Sequence, residues 1–184
     1  AEKEILLETF IVEDDKVGRT LQKELIAAAQ RGVSIDITVD GYGTWNLSDE
    51  FIGAMTSAGV RLHIFEQQPK MWGVRLNIFR RLHRKLIVID QKLAFIGGIN
   101  FCFDHVISSG PEAKQDYAVQ VRGPVVAQMH RFTREAVLDR SAHQRPHATD
   151  ITGRPHAGTA NAMFVTRDNQ QHTNDIERQY RVAL

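Results

Sequence analysis

The sequence predicts an α/β fold with a mixed, largely parallel central sheet, and two patterns carry that expectation. From the start, short runs of apolar and β-branched residues alternate with longer stretches of helical period, the rhythm of a sheet covered by helices. After residue 85 the rhythm changes to two adjacent apolar runs separated by a tight turn, which reads as a hairpin. The 184 residues, 42% hydrophobic and 24% charged, suffice for a globular core without covalent staples. A single cysteine, Cys102, excludes a disulfide framework and a multi-cysteine zinc site. No run approaches the roughly 20 apolar residues of a membrane-spanning helix. With a net charge of +1, any case for an anionic partner has to be local.

The elements follow in order. Ile5 to Val12 is an apolar run without helical period, which suits a buried strand. Asp14 and Asp15 then open a helix through Leu21, Leu25 and Ala28, closed by Arg31-Gly32. Val33 to Val39 alternates as a strand, and Asp40-Gly41-Tyr42-Gly43 turns the chain. Ser48-Asp49-Glu50 begins a second helix ending near Ala58-Gly59, before a strand from Val60 to Phe65. Leu86 to Asp90, a turn at Gln91-Lys92, and Leu93 to Gly98 form the hairpin; Tyr117 to Val121 is one more strand. Pro124 suits the first turn of a helix running towards Leu138.

This gives a domain over residues 1–140. Residues 141–160, rich in His, Arg, Pro, Gly and Thr, read as an exposed linker. Residues 161–184 contain a helix start at Thr173-Asn174-Asp175, with Ile176, Tyr180 and Ala183 on one face. The chain opens on a core strand without an initiator methionine and stops inside that last helix. The expectation is a piece of a longer protein, with residues 161–184 beginning a second, truncated half.

Chemistry concentrates around the hairpin. His83-Arg84-Lys85 precedes it, Asp90 ends its first strand, and Gly97-Gly98-Ile99-Asn100 follows its second. In an extended segment His83 and Lys85 point the same way and Arg84 the other. An imidazole beside an ammonium suits an anionic tetrahedral group: the lysine neutralises oxygens while the histidine attacks or shuttles a proton. The glycines let the backbone come close, and the Asn100 amide adds a donor. Glu8, a charge in an apolar strand, either faces that pocket or pairs with a basic residue. Cys102 reads as a small core residue.

His83-x-Lys85-x4-Asp90 followed by Gly97-Gly98-x-Asn100 resembles the HKD signature of the phospholipase D superfamily. The closer resemblance is to bacterial cardiolipin synthases of the B type, amino-terminal half only. It is carried also by Ile5 to Ile11, Asp40-Gly41-Tyr42-Gly43, Phe79 to Lys85 and Gly110 to Tyr117. The resemblance implies a phospholipase D-like α/β/α sandwich and phosphatidyl transfer between two phosphatidylglycerol molecules through a phosphohistidine, with glycerol released. It implies that His83 is nucleophile or acid, that Lys85 and Asn100 hold phosphate oxygens, and that Asp116 orients an HKD histidine. Asp90 is counted with the motif and is expected to brace loops. No cofactor and no metal is implied. The implied setting is peripheral, on the cytoplasmic side of the bacterial inner membrane.

The family pattern uses two such motifs, and here there is one. None of His63, His105, His130, His143, His147, His156 and His172 is followed two residues later by lysine. Three arrangements follow: an inactive fragment, a homodimer supplying both motifs, or a second motif in a longer chain. The other activities compatible with these residues are a homodimeric phosphodiesterase or nuclease and a non-catalytic phosphate- or lipid-binding domain. Pro69 to Lys85 carries Lys70, Arg75, Arg80, Arg81, Arg84 and Lys85 with no acidic residue, interleaved with Met71, Trp72, Ile78 and Phe79. That mixture suits an anionic membrane surface, a nucleic-acid groove, or a loop whose apolar residues pack into the core; Trp72, Ile78 and Phe79 favour acyl chains over nucleic-acid bases.

Overall fold

The computed structural model describes residues 1–44, 46–65, 70–71, 74–75, 81–106, 110, 114–138, 158–167 and 173–183. Six strands form one sheet in the order β3-β2-β1-β6-β7-β8: β1 Glu4–Thr9, β2 Ser34–Asp40, β3 Arg61–Phe65, β6 Leu86–Ile89, β7 Leu93–Gly97 and β8 Ala118–Arg122. β1, β2 and β3 run parallel, whereas β6 pairs antiparallel with β1, β7 with β6, and β8 with β7. The sheet is therefore mixed as expected but not largely parallel: two of its five pairings are parallel, both in the half joined by helical crossovers. The other half is built by the hairpin and the strand after it, and short connections enforce antiparallel pairing. A separate two-stranded ribbon, β4 Lys70–Met71 with β5 Val74–Arg75, precedes the hairpin.

Helices cover both faces. α1 (Lys16–Gln30) and α2 (Asp49–Ser57) lie on one side, over a core that includes Ile5, Leu7, Ile35, Ile37, Phe51 and Met55. α3 (Val125–Leu138) covers the other, where Leu6, Leu86, Val88, Ala94 and Val126 are buried. The caps are those the sequence marks: Asp15 accepts from the Val17 and Gly18 amides at 2.8 and 2.9 Å, and Ser48 from the Phe51 amide at 3.1 Å. α4 (Asp175–Ala183) has no buried residue. Among the described residues, no helix is long and apolar enough to cross a membrane.

Several boundaries differ from the sequence expectation; β2 and β3, for instance, each begin one residue later. β1 ends at Thr9 rather than Val12, because Phe10 to Val12 leave the sheet to meet other partners; Val12 makes an isolated bridge with Phe101. The hairpin turn sits one residue earlier, on Asp90 and Gln91, both at positive φ (52° and 55°), with the Lys92 amide on the Ile89 carbonyl. An aspartate tolerates that conformation better than an apolar strand residue would. β8 begins at Ala118 and runs to Arg122. Residues 141–157 of the expected linker and most of the aromatic-basic segment before His83 lie outside the described residues; residues 158–160, the end of that linker, are exposed.

Charge is buried on the α3 side. Asp36 accepts from Arg61 at 2.6 and 2.8 Å, lies 2.9 Å from His63 and is approached by Arg134, which also meets Glu4 at 2.9 Å. Burial opposes ionisation of Asp36, but its bonds with Arg61 and His63 prevail and hold the carboxyl well below its usual range. A depressed folded-state pKa contributes stability above the unfolded value of 3.8 that is lost as acid protonates the group. Asp36→Asn is therefore expected to lower stability at neutral pH and to flatten its decline below about pH 4. Urea titrations of both proteins across that range check it.

Candidate active site

The strand directions bring several ends together. β1 and β2 finish where β6 and β8 begin and β7 ends, so Phe10, Asp40, Lys85, Gly97 and Ala118 share one end of the sheet. His83 and Lys85 face the α1–α2 side there. The Lys85 ammonium lies 3.3 Å from His83 Nε2 and 3.3 Å from its carbonyl oxygen. Lys85 is buried, and among the described residues no carboxylate forms an ion pair with it. The Phe10 ring lies against both groups, 4.9 Å from the imidazole centroid and 5.3 Å from the lysine nitrogen.

These neighbours set the charge state. Burial first, then the Lys85 charge and Arg81, push the His83 pKa below its ordinary 6.5, against a smaller upward pull from Asp40. That shift favours the neutral imidazole, the form that attacks or accepts a proton. Burial also lowers the Lys85 pKa, and the nearby Asp116 carboxylate opposes that shift. A buried ammonium beside the imidazole leaves positive charge available to an incoming oxyanion.

Asn100 is tied to the same corner: its Oδ1 accepts from the Ile11 amide at 3.2 Å, next to Phe10. Its NH2 group has no protein partner among the described residues. Asp116 lies over Gly98 and accepts from its own neighbour, the Tyr117 amide, at 2.7 Å; it forms no hydrogen bond with His83 within this chain. The glycine pair has a further use beyond approach to a ligand. A Cβ on Gly97 would stand 2.2 Å from the Tyr117 carbonyl oxygen, and one on Gly98 would stand 2.2 Å from the Asp116 carboxylate. Gly98→Ala is expected to push that exposed carboxylate away from Lys85, cutting activity about tenfold or more, with a stability change within about 0.5 kcal/mol. Turnover measured beside a thermal melt checks it.

Asp90 is not brought to this corner. It sits at the far end of β6, where its carboxylate accepts from the Glu2, Lys3 and Glu4 amides, each at 2.8 Å, bracing the start of β1. Glu8 faces the opposite side of the sheet from His83. It is fully buried and paired with Arg84 at 2.7 and 3.1 Å, the guanidinium lying over Phe132. Its two sequence readings are thereby decided for the ion pair. Cys102 is buried, and burial with the nearby Glu13 and Asp104 charges raises its thiol pKa, so it is inert. Phe10 was not singled out in the sequence; an aromatic ending an apolar strand is indistinguishable there from a core residue.

Comparison with known proteins gives concordant matches. The family described as "Cardiolipin synthase, PLD-like domain" matches residues 1–135. The chain is 49% identical over 183 residues to cardiolipin synthase B of Salmonella typhi, an alignment covering 98% of this chain and 44% of that protein. It is 46% identical over 184 residues to cardiolipin synthase B of Escherichia coli (strain K12), with the same two coverages. The chain therefore spans less than half the length of these curated relatives. Among solved structures, NucT from Helicobacter pylori is similar over 74% of this chain and 80% of that chain, with a TM-score of 0.54 at 13% identity, a likeness of fold.

Proposed function

The chain belongs to the phospholipase D-like domain family of the cardiolipin synthases, and from that premise we propose that it supplies one phosphate-binding half of a phosphatidyltransferase. The observation that carries this is the buried Lys85 ammonium, unpaired with any described carboxylate, 3.3 Å from the His83 imidazole. Lys85 and the Asn100 NH2 group hold non-bridging oxygens of phosphatidylglycerol. His83 serves as the nucleophile or as the acid for the leaving alcohol. In the first half-reaction a histidine nitrogen bonds to phosphorus, the bond from phosphorus to the glycerol oxygen breaks, and glycerol leaves with a proton. In the second, a hydroxyl of another phosphatidylglycerol gives its proton to the histidine that had protonated glycerol and attacks phosphorus, the phosphorus–nitrogen bond breaks, and cardiolipin is formed with both histidines restored. Covalent storage protects the phosphatidyl group until an alcohol arrives.

A second histidine motif comes from outside these residues, in the remaining length of a longer protein or in a second copy. The greater length of the relatives supports the former. The protein works at the cytoplasmic face of the inner membrane as a peripheral enzyme on an anionic lipid surface. The test gives the full-length protein phosphatidylglycerol vesicles in one arm and DNA in another. Cardiolipin and glycerol with intact DNA support the proposal; DNA cleavage without lipid product overturns it. The depressed His83 pKa further predicts an acid limb of kcat/KM below 6.5 where His83 acts as the neutral nucleophile, read from a pH–rate profile.

A further inference from the structure

Asp40 is a buried carboxylate, 1% exposed, that the phosphate chemistry above leaves unused. One of its oxygens accepts from the Leu82 amide at 2.6 Å; the other accepts from the Tyr42 and Gly43 amides at 2.9 and 3.0 Å. Leu82 is itself buried and directly precedes His83. The carboxylate thus fastens the end of β2 to the segment that presents the imidazole.

The rest of the turn holds the other wall of the site. The Tyr42 ring carries the Arg81 guanidinium 4.1 Å from its centroid. The Thr44 hydroxyl donates to the Phe10 carbonyl at 3.1 Å and accepts from the Val12 amide at 3.0 Å. Gly43 lies so close that a Cβ there would stand 2.4 Å from the Phe10 oxygen and 3.0 Å from its ring. Phe10 in turn packs on His83 and Lys85. Five consecutive residues, Asp40 to Thr44, therefore contain the grips on both flanks of the imidazole.

Capping the turn at Tyr42 and Gly43 needs one acceptor oxygen, which asparagine also supplies, but the second oxygen, taken by the Leu82 amide, has no counterpart in asparagine, whose NH2 group donates. Burying a charge costs more, so the charge itself calls for a reason. The charged groups acting on His83 are Lys85 and Arg81, both cations, and Asp40; Asp116 acts on Lys85, and Phe10 carries no charge. We infer that Asp40 is a positioning residue for His83: it fixes the imidazole through the Leu82 amide, and its charge steadies the ring when that ring becomes positive. The ring becomes positive whether it bonds to phosphorus or takes up a proton, so the inference rests on His83 being the reactive imidazole and not on which role it plays.

The test uses the full-length Asp40→Asn variant with phosphatidylglycerol vesicles, and an NMR titration of His83. A misplaced catalytic group loses rate on the order of 10²-fold, so kcat falls by about that factor while KM changes little. Removing the one carboxylate opposing two cations moves the His83 titration and the acid limb to lower pH. A folded Asp40→Asn protein with the parent kcat and an unmoved titration overturns the inference. Should that variant not fold, Thr44→Val tests the other arm of the turn: a lower kcat at unchanged KM supports the clamp, and an unchanged kcat overturns it. If the parent protein yields no lipid product, the functional reading falls, whereas the His83 titration still decides the role of Asp40.

Discussion

Replacing His83 by alanine is expected to abolish cardiolipin formation by the full-length protein, by about 10⁴-fold or more. In the proposed scheme, deleting the imidazole removes the group that bonds to phosphorus or protonates the leaving oxygen, and no other described histidine lies beside Lys85. The substitution is cheap for the fold, because His83 is an exposed side chain outside the regular strands. The pairing of lost turnover with an unchanged melting temperature is the diagnostic result. Lys85→Met provides the companion measurement: loss of a preorganised cation costs about 10²- to 10³-fold in kcat, with the imidazole still present. Lipid products separated by chromatography read both. Full turnover by His83→Ala would remove His83 from the reaction.

The second large effect is on stability, and it falls one residue away on the other face. Arg84→Met leaves Glu8, which is fully buried, without the guanidinium that binds both of its oxygens. Breaking a buried pair from one side costs about 3–5 kcal/mol, because the remaining charge stays desolvated. Glu8→Leu combined with Arg84→Met should recover much of that loss, since the site lies between Leu6 and Phe132 and accepts apolar volume. Denaturant unfolding of the two single variants and the double variant gives the coupling between the residues. Equal stability of Arg84→Met and the parent would show that the pair contributes nothing.

The contrast between His83 and Arg84 shows how far the sequence reaches. The period-2 geometry of an extended segment places residues 83 and 85 on one face and 84 on the other, and the structure has them there. The helix caps at Asp15 and Ser48 are equally legible, since a cap is an interaction between residues two or three apart. Where partners are distant in sequence, local pattern gives no direction. Glu8 and Arg84 are 76 positions apart, and Asp40 and Leu82 are 42 apart. Asp90 falls at the proper spacing for the motif, yet its carboxylate binds the amides of residues 2, 3 and 4.

By itself the sequence determined the strand-and-helix order, the hairpin, and the pairing of an imidazole with an ammonium on one face, because each depends on backbone periods and near neighbours. Only the tertiary structure decided which strand ends meet, and with them the ring of Phe10 over His83 and Lys85, the buried Asp40 behind Leu82, and the separation of Asp90 from both. The reason is that a sheet lays strands side by side without regard to their distance along the chain. Which charges are desolvated together is settled when those strands close on one another.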